Sequence, residues 1–215
     1  MKKFRCVIFD MDGTLADTLD EQAETINRVF ETEKLGPISR EGLRKLQGES
    51  LEYQIGSFLA GKDKAKTEEL SVKVRRLYTE APLRLAAPFP RIPELLLELR
   101  RRKIKTAVLS NKPEEILNAD LERLFPFFAF EAVCGVRPGF PLKPDPAPVW
   151  EVLTEADVSP RDAILIGDTE IDIQAALNAD CHAVGAAWGY RDAETLKAAG
   201  AQRVVSAPME LLELV

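Results

Sequence analysis

Long apolar runs are absent from this 215-residue chain. No stretch approaches the ~20 consecutive apolar residues that a membrane-spanning helix needs. The N-terminal Met1–Phe4 leads directly into a short apolar segment, without the hydrophobic region of a secretion signal. The sequence therefore predicts a protein that has no membrane partner.

Cysteine is scarce, and its spacing excludes a disulfide framework. The three cysteines are Cys6, Cys134 and Cys181, an odd number of widely separated residues. Each lies in a segment that we predict to be a strand, as is typical of buried thiols in a reducing compartment. We therefore expect free cysteines and a cytoplasmic location.

A surplus of positive charge is also missing. The 29 Lys and Arg residues are outnumbered by 35 Asp and Glu residues, which gives a net charge of -6. A surface that binds the phosphates of nucleic acid needs an excess of basic residues, so a nucleic-acid partner is excluded. A small anionic substrate is still compatible with this composition, because a local cation can bind it.

What the sequence does contain is a pair of carboxylates directly after a buried strand. The apolar run 6–9 is followed by Asp10 and Asp12, with Gly13 closing the turn. Four consecutive apolar residues are typical of a strand that is covered on both faces, as in a parallel sheet. Ligands bind beyond the carboxyl ends of such strands, and residues two apart point the same way. This pair predicts a Mg²⁺ site, although an acidic turn would have the same composition.

The rest of the chain predicts an α/β protein with a helical insert. Helical periodicity dominates from Asp17 to a proline-rich return near Ala86. Strands and helices then alternate, as in a doubly wound parallel sheet. We expect residues 1–16 and 86–215 to form a Rossmann-like core, and residues 17–85 to form a small all-α cap domain with hinges at its two connections.

Polar residues also follow the later predicted strands. Each alone has a plain structural explanation, as a helix cap or a solvated side chain. Together they match the needs of phosphoryl transfer, which requires a nucleophile, a metal, donors for the phosphoryl oxygens and an acid or base. They are Ser110 and Asn111 after the strand 104–109, Lys143 in a proline-dense loop after the strand 129–134, and Asp168 and Asp172 after the strand 163–166.

Four motifs in this order resemble those of the haloacid dehalogenase superfamily. They are Asp-Met-Asp-Gly-Thr-Leu at 10–15, Ser-Asn-Lys-Pro at 110–113, Lys-Pro-Asp-Pro at 143–146 and Gly-Asp-Thr-Glu-Ile-Asp at 167–172. The position of the helical insert resembles the subgroup with a C1-type cap. The second and fourth motifs, with Trp-Gly-Tyr-Arg at 188–191, are most similar to phosphoglycolate phosphatases.

The resemblance implies a role for each motif residue. Asp10 would be the nucleophile that forms an aspartyl-phosphate, and Asp12 would act first as general acid and then as general base. Mg²⁺ would be held by Asp10, the backbone carbonyl of Asp12, Asp168 and Asp172, the last directly or through water. The residues expected to bind substrate are Thr14, Ser110, Asn111, Lys143 as a point charge, and Arg44 and Gly48 in the cap, with Gln47 and Glu49 beside them.

The function that the resemblance implies is that of a Mg²⁺-dependent phosphatase acting on a small phosphorylated metabolite, such as phosphoglycolate. A dehalogenase is disfavoured by Asp12, and a mutase of the β-phosphoglucomutase type by the absence of arginine immediately after Gly48. A pyrophosphatase or nucleotidase of the same superfamily stays open. A non-enzymatic phospho-acceptor is disfavoured by the helical insert, because it would need no lid over its aspartate. We expect a monomer or a homodimer.

Four further residues have weaker signals. His182, the only histidine, is expected to be a core or edge residue without a catalytic role. Trp188 and Tyr190 follow a predicted strand end, and packing is the favoured explanation for both. Thr169 is expected to cap the helix that follows it.

Overall fold

A parallel six-stranded sheet forms the centre of the computed structural model, which describes residues 4–59 and 63–215. All neighbouring strands in this sheet run parallel, in the order β5-β4-β1-β6-β7-β8. This confirms the predicted α/β class. The strands of the chain are β1 (Cys6–Phe9), β2 (Ala16–Asp17), β3 (Ala87–Pro88), β4 (Lys105–Pro113), β5 (Ala132–Val136), β6 (Ala163–Gly167), β7 (His182–Ala186) and β8 (Arg203–Val205).

The sheet is covered on both faces, and β1 shows this directly. Cys6 and Ile8 belong to one apolar cluster, whereas Val7 and Phe9 belong to a second cluster on the other face. All four residues are fully buried, as the continuous apolar run predicted. The helices of this part of the chain are α5 (Ile92–Arg101), α6 (Glu114–Leu124), α7 (Ala147–Glu155), α8 (Glu170–Asn178) and α9 (Ala193–Ala198).

Residues 19–80 contain helices without a strand among the described positions. These helices are α1 (Leu19–Thr32), α2 (Arg40–Lys45), α3 (Leu51–Phe58) and α4 (Lys64–Glu80). The side chains of Ser39, Ser50 and Asp63 cap the last three. The helices pack around a third apolar cluster, which also takes in Ile116 and Tyr190 from the sheet-bearing part of the chain.

A short ribbon joins the two ends of this helical segment. Strands β2 and β3 pair antiparallel, with Ala16 opposite Pro88 and Asp17 opposite Ala87. The carboxylate of Glu21 on α1 accepts a hydrogen bond from the backbone amide of Ala86 at 2.7 Å. Two-residue strands leave no periodicity in a sequence, and this ribbon was therefore not predicted.

The largest correction concerns the second motif. We predicted a strand that ends at Leu109, with Ser110 and Asn111 following it. Instead β4 continues to Pro113, which pairs with Val136 after a register shift, and α6 begins at Glu114. Pro113 precedes the helix because its φ of -51° and ψ of 133° are extended rather than helical.

Other strand and helix limits differ by a few residues. The strand predicted over 129–134 is β5 at 132–136, and Cys181 lies just before β7. Residues 208–213 form a 3-10 helix. All three cysteines are buried and free. Of the helices in the described ranges, none has the length and apolar composition that crossing a bilayer would require.

His182 packs at the start of β7, where its ring stacks on Phe4 with the centroids 4.9 Å apart. Burial lowers the pKa of His182 from its ordinary value of 6.5. As the pH falls below 6.5, the unfolded chain therefore binds a proton at His182 more readily than the folded protein does. The free energy of unfolding decreases as a result. Replacing His182 by Phe keeps the stacked ring and removes this dependence.

We expect the unfolding free energy of His182→Phe, relative to the unmodified protein, to rise as the pH falls from about 8 to about 5. Urea unfolding at several pH values measures this difference. A difference that stays flat over that range would contradict the assigned effect of burial on His182.

Candidate active site

The residues that follow β1, β4 and β5 meet at one cavity beneath the helical segment, and Asp168 and Asp172 lie beside it, next to Asp10. The cavity encloses about 40 Å³, room for roughly three water molecules by the usual measure. Residues from both the sheet ends and the helices α1, α3 and α4 surround it. The lining residues are Asp10, Asp12, Gln22, Ile26, Gln47, Gly48, Glu49, Leu51, Gln54, Tyr78, Ser110, Asn111, Lys112, Pro113, Ile116 and Lys143.

Lys143 lies at the base of this cavity, between two carboxylates. Its ammonium group donates to Asp10 Oδ1 at 2.9 Å and to Asp172 Oδ1 at 2.6 Å. A third hydrogen bond goes to the carbonyl of Leu109 at 2.9 Å. Burial alone would lower the pKa of Lys143, but the two carboxylates raise it above its ordinary value. The two carboxylates therefore favour the charged form of Lys143, and its ammonium has three hydrogen-bond acceptors.

Three buried carboxylates gather around this lysine. One oxygen from each of Asp10, Asp168 and Asp172 can be chosen so that all three lie within 4.8 Å of one another. One ammonium balances only one of the three charges. Burial raises the pKa of Asp10 to about 7; Lys143 opposes the rise, and Asp172 and Asp12 add to it. Burial, with the charges of Asp172 and Asp10, likewise raises the pKa of Asp168 well above its usual range.

The donor set fits a hard divalent cation. Mg²⁺ prefers oxygen ligands and is commonly held by one or two carboxylates together with a substrate phosphate. A cation of charge two would also balance the carboxylates that Lys143 leaves uncompensated. Asp10, Asp168 and Asp172 are thus the residues that could hold it, and its presence would favour the ionised form of Asp10.

Asp168 is held in place by residues from two other motifs. Thr14 Oγ1 donates to Asp168 Oδ1 at 3.2 Å, and the backbone amide of Tyr190 donates to Oδ2 at 2.7 Å. Gly13 has a φ of +85°, and a Cβ there would lie 2.2 Å from Asp168 Oδ2. Thr14 was predicted to bind substrate, but its side chain is fully buried and does not line the cavity. Its hydroxyl orients a carboxylate instead.

Asp12 lines the same cavity as Asp10 but has a different set of partners. Its Oδ1 accepts from Thr18 Oγ1 at 2.6 Å and from the ammonium of Lys112 at 2.8 Å. Both bonds use the same oxygen. The side chain of Asp12 does not belong to the group of three carboxylates that could share a metal. Its predicted metal contact was through the backbone carbonyl, and that contact stays a prediction.

Lys112 is a site residue that the sequence analysis missed. It lies between Asp12 and Asp120, with Nζ 2.7 Å from Asp120 Oδ2. Burial alone would lower the pKa of Lys112, but these two carboxylates hold it well above its ordinary value. Asp120 also accepts from Arg123 at 2.7 Å, and Arg123 donates to Glu21 at 2.9 Å. A buried chain of alternating charges thus connects Asp12 with the helical segment.

Asn111 links the helical segment to the loop that carries Lys143. Its side-chain amide donates to the carbonyls of Gly48 and Lys143, both at 2.9 Å, and its Oδ1 accepts from the amide of Lys143 at 2.9 Å. Gly48 has a φ of +92°, and a Cβ there would lie 2.8 Å from Thr169 Oγ1. The close approach of the two parts of the chain therefore depends on the absence of a side chain at this position.

The remaining predicted site residues divide into two groups. Ser110, Gln47 and Glu49 line the cavity with Gly48. Arg44 does not: its side chain is about 41% exposed and lies 3.7 Å from Glu41 on α2. Its carbonyl accepts from Arg191 at 2.9 Å. The prediction that the Arg44 side chain contributes to the substrate pocket is not supported by this position.

The segment 188–190 makes hydrogen bonds to the first motif and to the residues that follow it. Trp188 Nε1 donates to the carbonyl of Thr14 at 3.0 Å. The hydroxyl of Tyr190 donates to Asp17 Oδ1 and accepts from the amide of Thr18, both at 3.0 Å. Packing was the favoured explanation for both side chains, and both are in addition hydrogen-bonded to residues that shape the site.

The amide and the hydroxyl of Thr169 both donate to Asp172 Oδ2, at 3.1 and 2.7 Å.

The known proteins to which the chain is similar include phosphoglycolate phosphatases. The chain is 32% identical to the phosphoglycolate phosphatase of Aquifex aeolicus over 186 residues, which is 86% of each chain. It is 28% identical to the phosphoglycolate phosphatase of Pseudomonas putida, over 94% of this chain and 76% of that protein. Among solved structures, CbbY from Rhodobacter sphaeroides in complex with phosphate has a TM-score of 0.79 at 25% identity, covering 97% of this chain and 96% of that one.

The family model for haloacid dehalogenase-like hydrolases matches residues 7–186. This range begins within β1 and ends with β7, so it includes all four motifs and the helical segment. The match confirms the superfamily that the motifs predicted and with it a hydrolytic enzyme. The chain belongs to the haloacid dehalogenase-like hydrolase family.

Proposed function

We propose that this protein is a Mg²⁺-dependent phosphatase that hydrolyses a short phosphomonoester, such as phosphoglycolate, through an aspartyl-phosphate on Asp10. The observation that carries the proposal is the cluster of Asp10, Asp168 and Asp172 around Lys143 at the base of a small cavity. The relatives named phosphoglycolate phosphatase support this class of substrate.

In the first step, an oxygen of Asp10 attacks the phosphorus of the substrate. The bond between phosphorus and the ester oxygen breaks, and that oxygen takes a proton from Asp12 as it leaves. Thr18 and Lys112 both bond Oδ1 of Asp12, so Oδ2 is the atom that would carry the transferred proton. General acid catalysis of this kind contributes about 10²–10⁴ in rate.

In the second step, Asp12 takes a proton from a water molecule as that water attacks the aspartyl-phosphate. The bond between phosphorus and Asp10 breaks, which releases inorganic phosphate and regenerates both carboxyl groups. One residue serves as acid and then as base, since the leaving oxygen and the attacking water use the same side of the phosphorus.

Mg²⁺ bound by Asp10, Asp168 and Asp172 would supply positive charge to the phosphoryl oxygens and keep Asp10 ionised. Lys143 contributes a fixed charge at Asp10 itself. We assign Ser110 and the backbone amide of Asn111 to the phosphoryl oxygens, because both residues line the cavity beside Asp10. Fixed donors of this kind stabilise the charge that develops during transfer.

The helical segment closes the site, and we propose that residues 17–85 act as a cap on a core formed by 1–16 and 86–215. The β2–β3 ribbon would then be the hinge. Closure excludes bulk water from a reactive intermediate. A cavity of about 40 Å³ favours a short leaving group over a hexose or a nucleoside. The expected cytoplasmic location and monomeric or dimeric state stay part of this proposal.

A substrate panel tests the proposed function. We expect Mg²⁺-dependent release of phosphate that is fastest with phosphoglycolate and slower with sugar phosphates, nucleoside monophosphates, pyrophosphate and acetyl phosphate. EDTA should reduce release to background, and added Mg²⁺ should restore it. Faster turnover of a nucleotide or a sugar phosphate would replace the substrate, whereas interconversion of sugar phosphates without phosphate release would contradict a phosphatase.

A further inference from the structure

One polar group in the cavity has no role in the reaction described above. Tyr78 lies on α4, lines the cavity and is 6% exposed. Within residues 4–59 and 63–215, its hydroxyl is a buried polar atom without a hydrogen-bond partner. Burial raises the pKa of this hydroxyl well above its ordinary value, so it keeps its proton and acts as a donor.

A buried hydroxyl without a partner destabilises a folded protein, because it loses its bonds to water and gains none in return. Phenylalanine would fill the same volume at this position without that cost. A tyrosine that lines the cavity and whose buried hydroxyl has no protein acceptor points to an acceptor that the ligand supplies.

Lys112 is the second donor at this part of the cavity. Its Nζ lies 5.4 Å from the centre of the Tyr78 ring. The ammonium has three protons, and it is paired with one oxygen of Asp12 and one of Asp120. The two carboxylates account for two of the three protons, and Lys112 lines the cavity. The apolar side chains of Ile26, Leu51 and Ile116 line the same cavity and offer a polar ligand no bonds.

We propose that Tyr78 and Lys112 form the subsite that binds the leaving group, and that this group carries a carboxylate. The proposal rests on the proposed phosphatase function and identifies the residues that select its substrate. Both groups donate, so the bound atom must be an acceptor. A carboxylate accepts more strongly than a neutral oxygen, especially from an ammonium. Lys112 lies 2.8 Å from Asp12, the proposed acid, so a carboxylate bound by Lys112 would lie near the ester oxygen that Asp12 protonates, as it does in an acid with one carbon between the two groups.

The test compares two substrates of similar size in the full-length enzyme with Mg²⁺. Phosphoglycolate carries the carboxylate, and ethyl phosphate has a methyl group in its place. We expect Tyr78→Phe to lower kcat/KM for phosphoglycolate by about 10- to 100-fold, as the loss of a hydrogen bond to a charged group does. The loss should be mainly in KM, because the bond is present before and during the reaction. Ethyl phosphate should be hydrolysed equally well by both forms.

Tyr53→Phe is the matched control, because Tyr53 is 55% exposed and lies outside the cavity. We expect it to leave both substrates unchanged. The melting temperature of Tyr78→Phe should equal or exceed that of the unmodified protein, since the substitution removes an unsatisfied hydroxyl. This separates the loss of a ligand contact from a loss of folding.

The outcomes separate the subsite from the proposed function. If the unmodified enzyme prefers phosphoglycolate to ethyl phosphate and Tyr78→Phe keeps that preference, the subsite is wrong and the function stands. An equal loss on both substrates also overturns the subsite. If the unmodified enzyme shows no preference for phosphoglycolate, the proposed substrate fails and the carboxylate subsite fails with it.

Discussion

Replacing Asp10 by asparagine is expected to abolish turnover while the protein stays folded. Asparagine has the same shape as aspartate but is a poor nucleophile, and it cannot form the aspartyl-phosphate. Removal of an enzyme nucleophile lowers kcat by on the order of 10⁶, so we expect at least about a 10⁴-fold loss. The measurement is phosphate release from phosphoglycolate with saturating Mg²⁺.

The fold should tolerate this change because the partners of Asp10 have other bonds. Lys143 keeps its hydrogen bonds to Asp172 and to the carbonyl of Leu109. Asparagine also removes one of three buried negative charges that lie close together. We expect a melting temperature without Mg²⁺ that is equal to or above that of the unmodified protein.

The matched control is Asp20→Asn, because Asp20 has an exposed side chain on α1 that pairs with Arg40. It should have full activity. Activity of Asp10→Asn within tenfold of the unmodified enzyme would rule out the covalent mechanism. A collapse of its melting temperature would instead mean that Asp10 is needed for folding, and an activity loss could then not be assigned to chemistry.

Replacing Lys143 by methionine should reduce both stability and activity. Methionine fills a similar volume, but it removes the only ammonium among Asp10, Asp168 and Asp172 in the described structure. Breaking a buried ion pair by removing one partner destabilises proteins by about 3–5 kcal/mol, because the other charges stay buried and unpaired. We expect a loss of this size in urea unfolding without Mg²⁺, and a fall in kcat of about 10²–10³.

Mg²⁺ provides an independent check on the same residue. If the three carboxylates bind the ion, added Mg²⁺ should stabilise the unmodified protein, by about 2.7 kcal/mol at 100 times the dissociation constant. It should recover part of the stability that Lys143→Met loses. Lys197→Met on the exposed side of α9 is the control and should change neither quantity. An unchanged stability in Lys143→Met would contradict the role of Lys143 as the counter-ion.

Several features of the site were predictable from local sequence. The run Cys6–Phe9 ends at Asp10, and the run Ala163–Gly167 ends at Asp168. A parallel sheet brings such strand ends to one edge, so the meeting of these carboxylates followed from the strand pattern and the motif order. The position of Lys143 followed in the same way from the polar residues after each strand. The substrate-pocket role predicted for the Arg44 side chain is not supported, because this side chain is exposed beside Glu41 and does not line the cavity. Nothing in the local sequence shows this position.

A weaker signal was present for the buried charge chain. Ile116, Leu117 and Leu121 form an apolar stripe on α6, and Asp120 occupies a position on that stripe. An acidic residue on a buried stripe implies a cation that faces it. The sequence could not say that the cation is Lys112, or that Arg123 and Glu21 extend the chain into the helical segment.

The sequence by itself determined the α/β class, the helical insert and the motifs that carry the clustered carboxylates and Lys143, because strand period, helix period and strand-end chemistry are local properties of the chain. Only the tertiary structure decided which side chains share a cavity across the two parts. Tyr78 and Lys112, like Tyr190 and Asp17, meet across long stretches of chain. Such contacts depend on how whole elements pack, and packing leaves no periodic trace at either position.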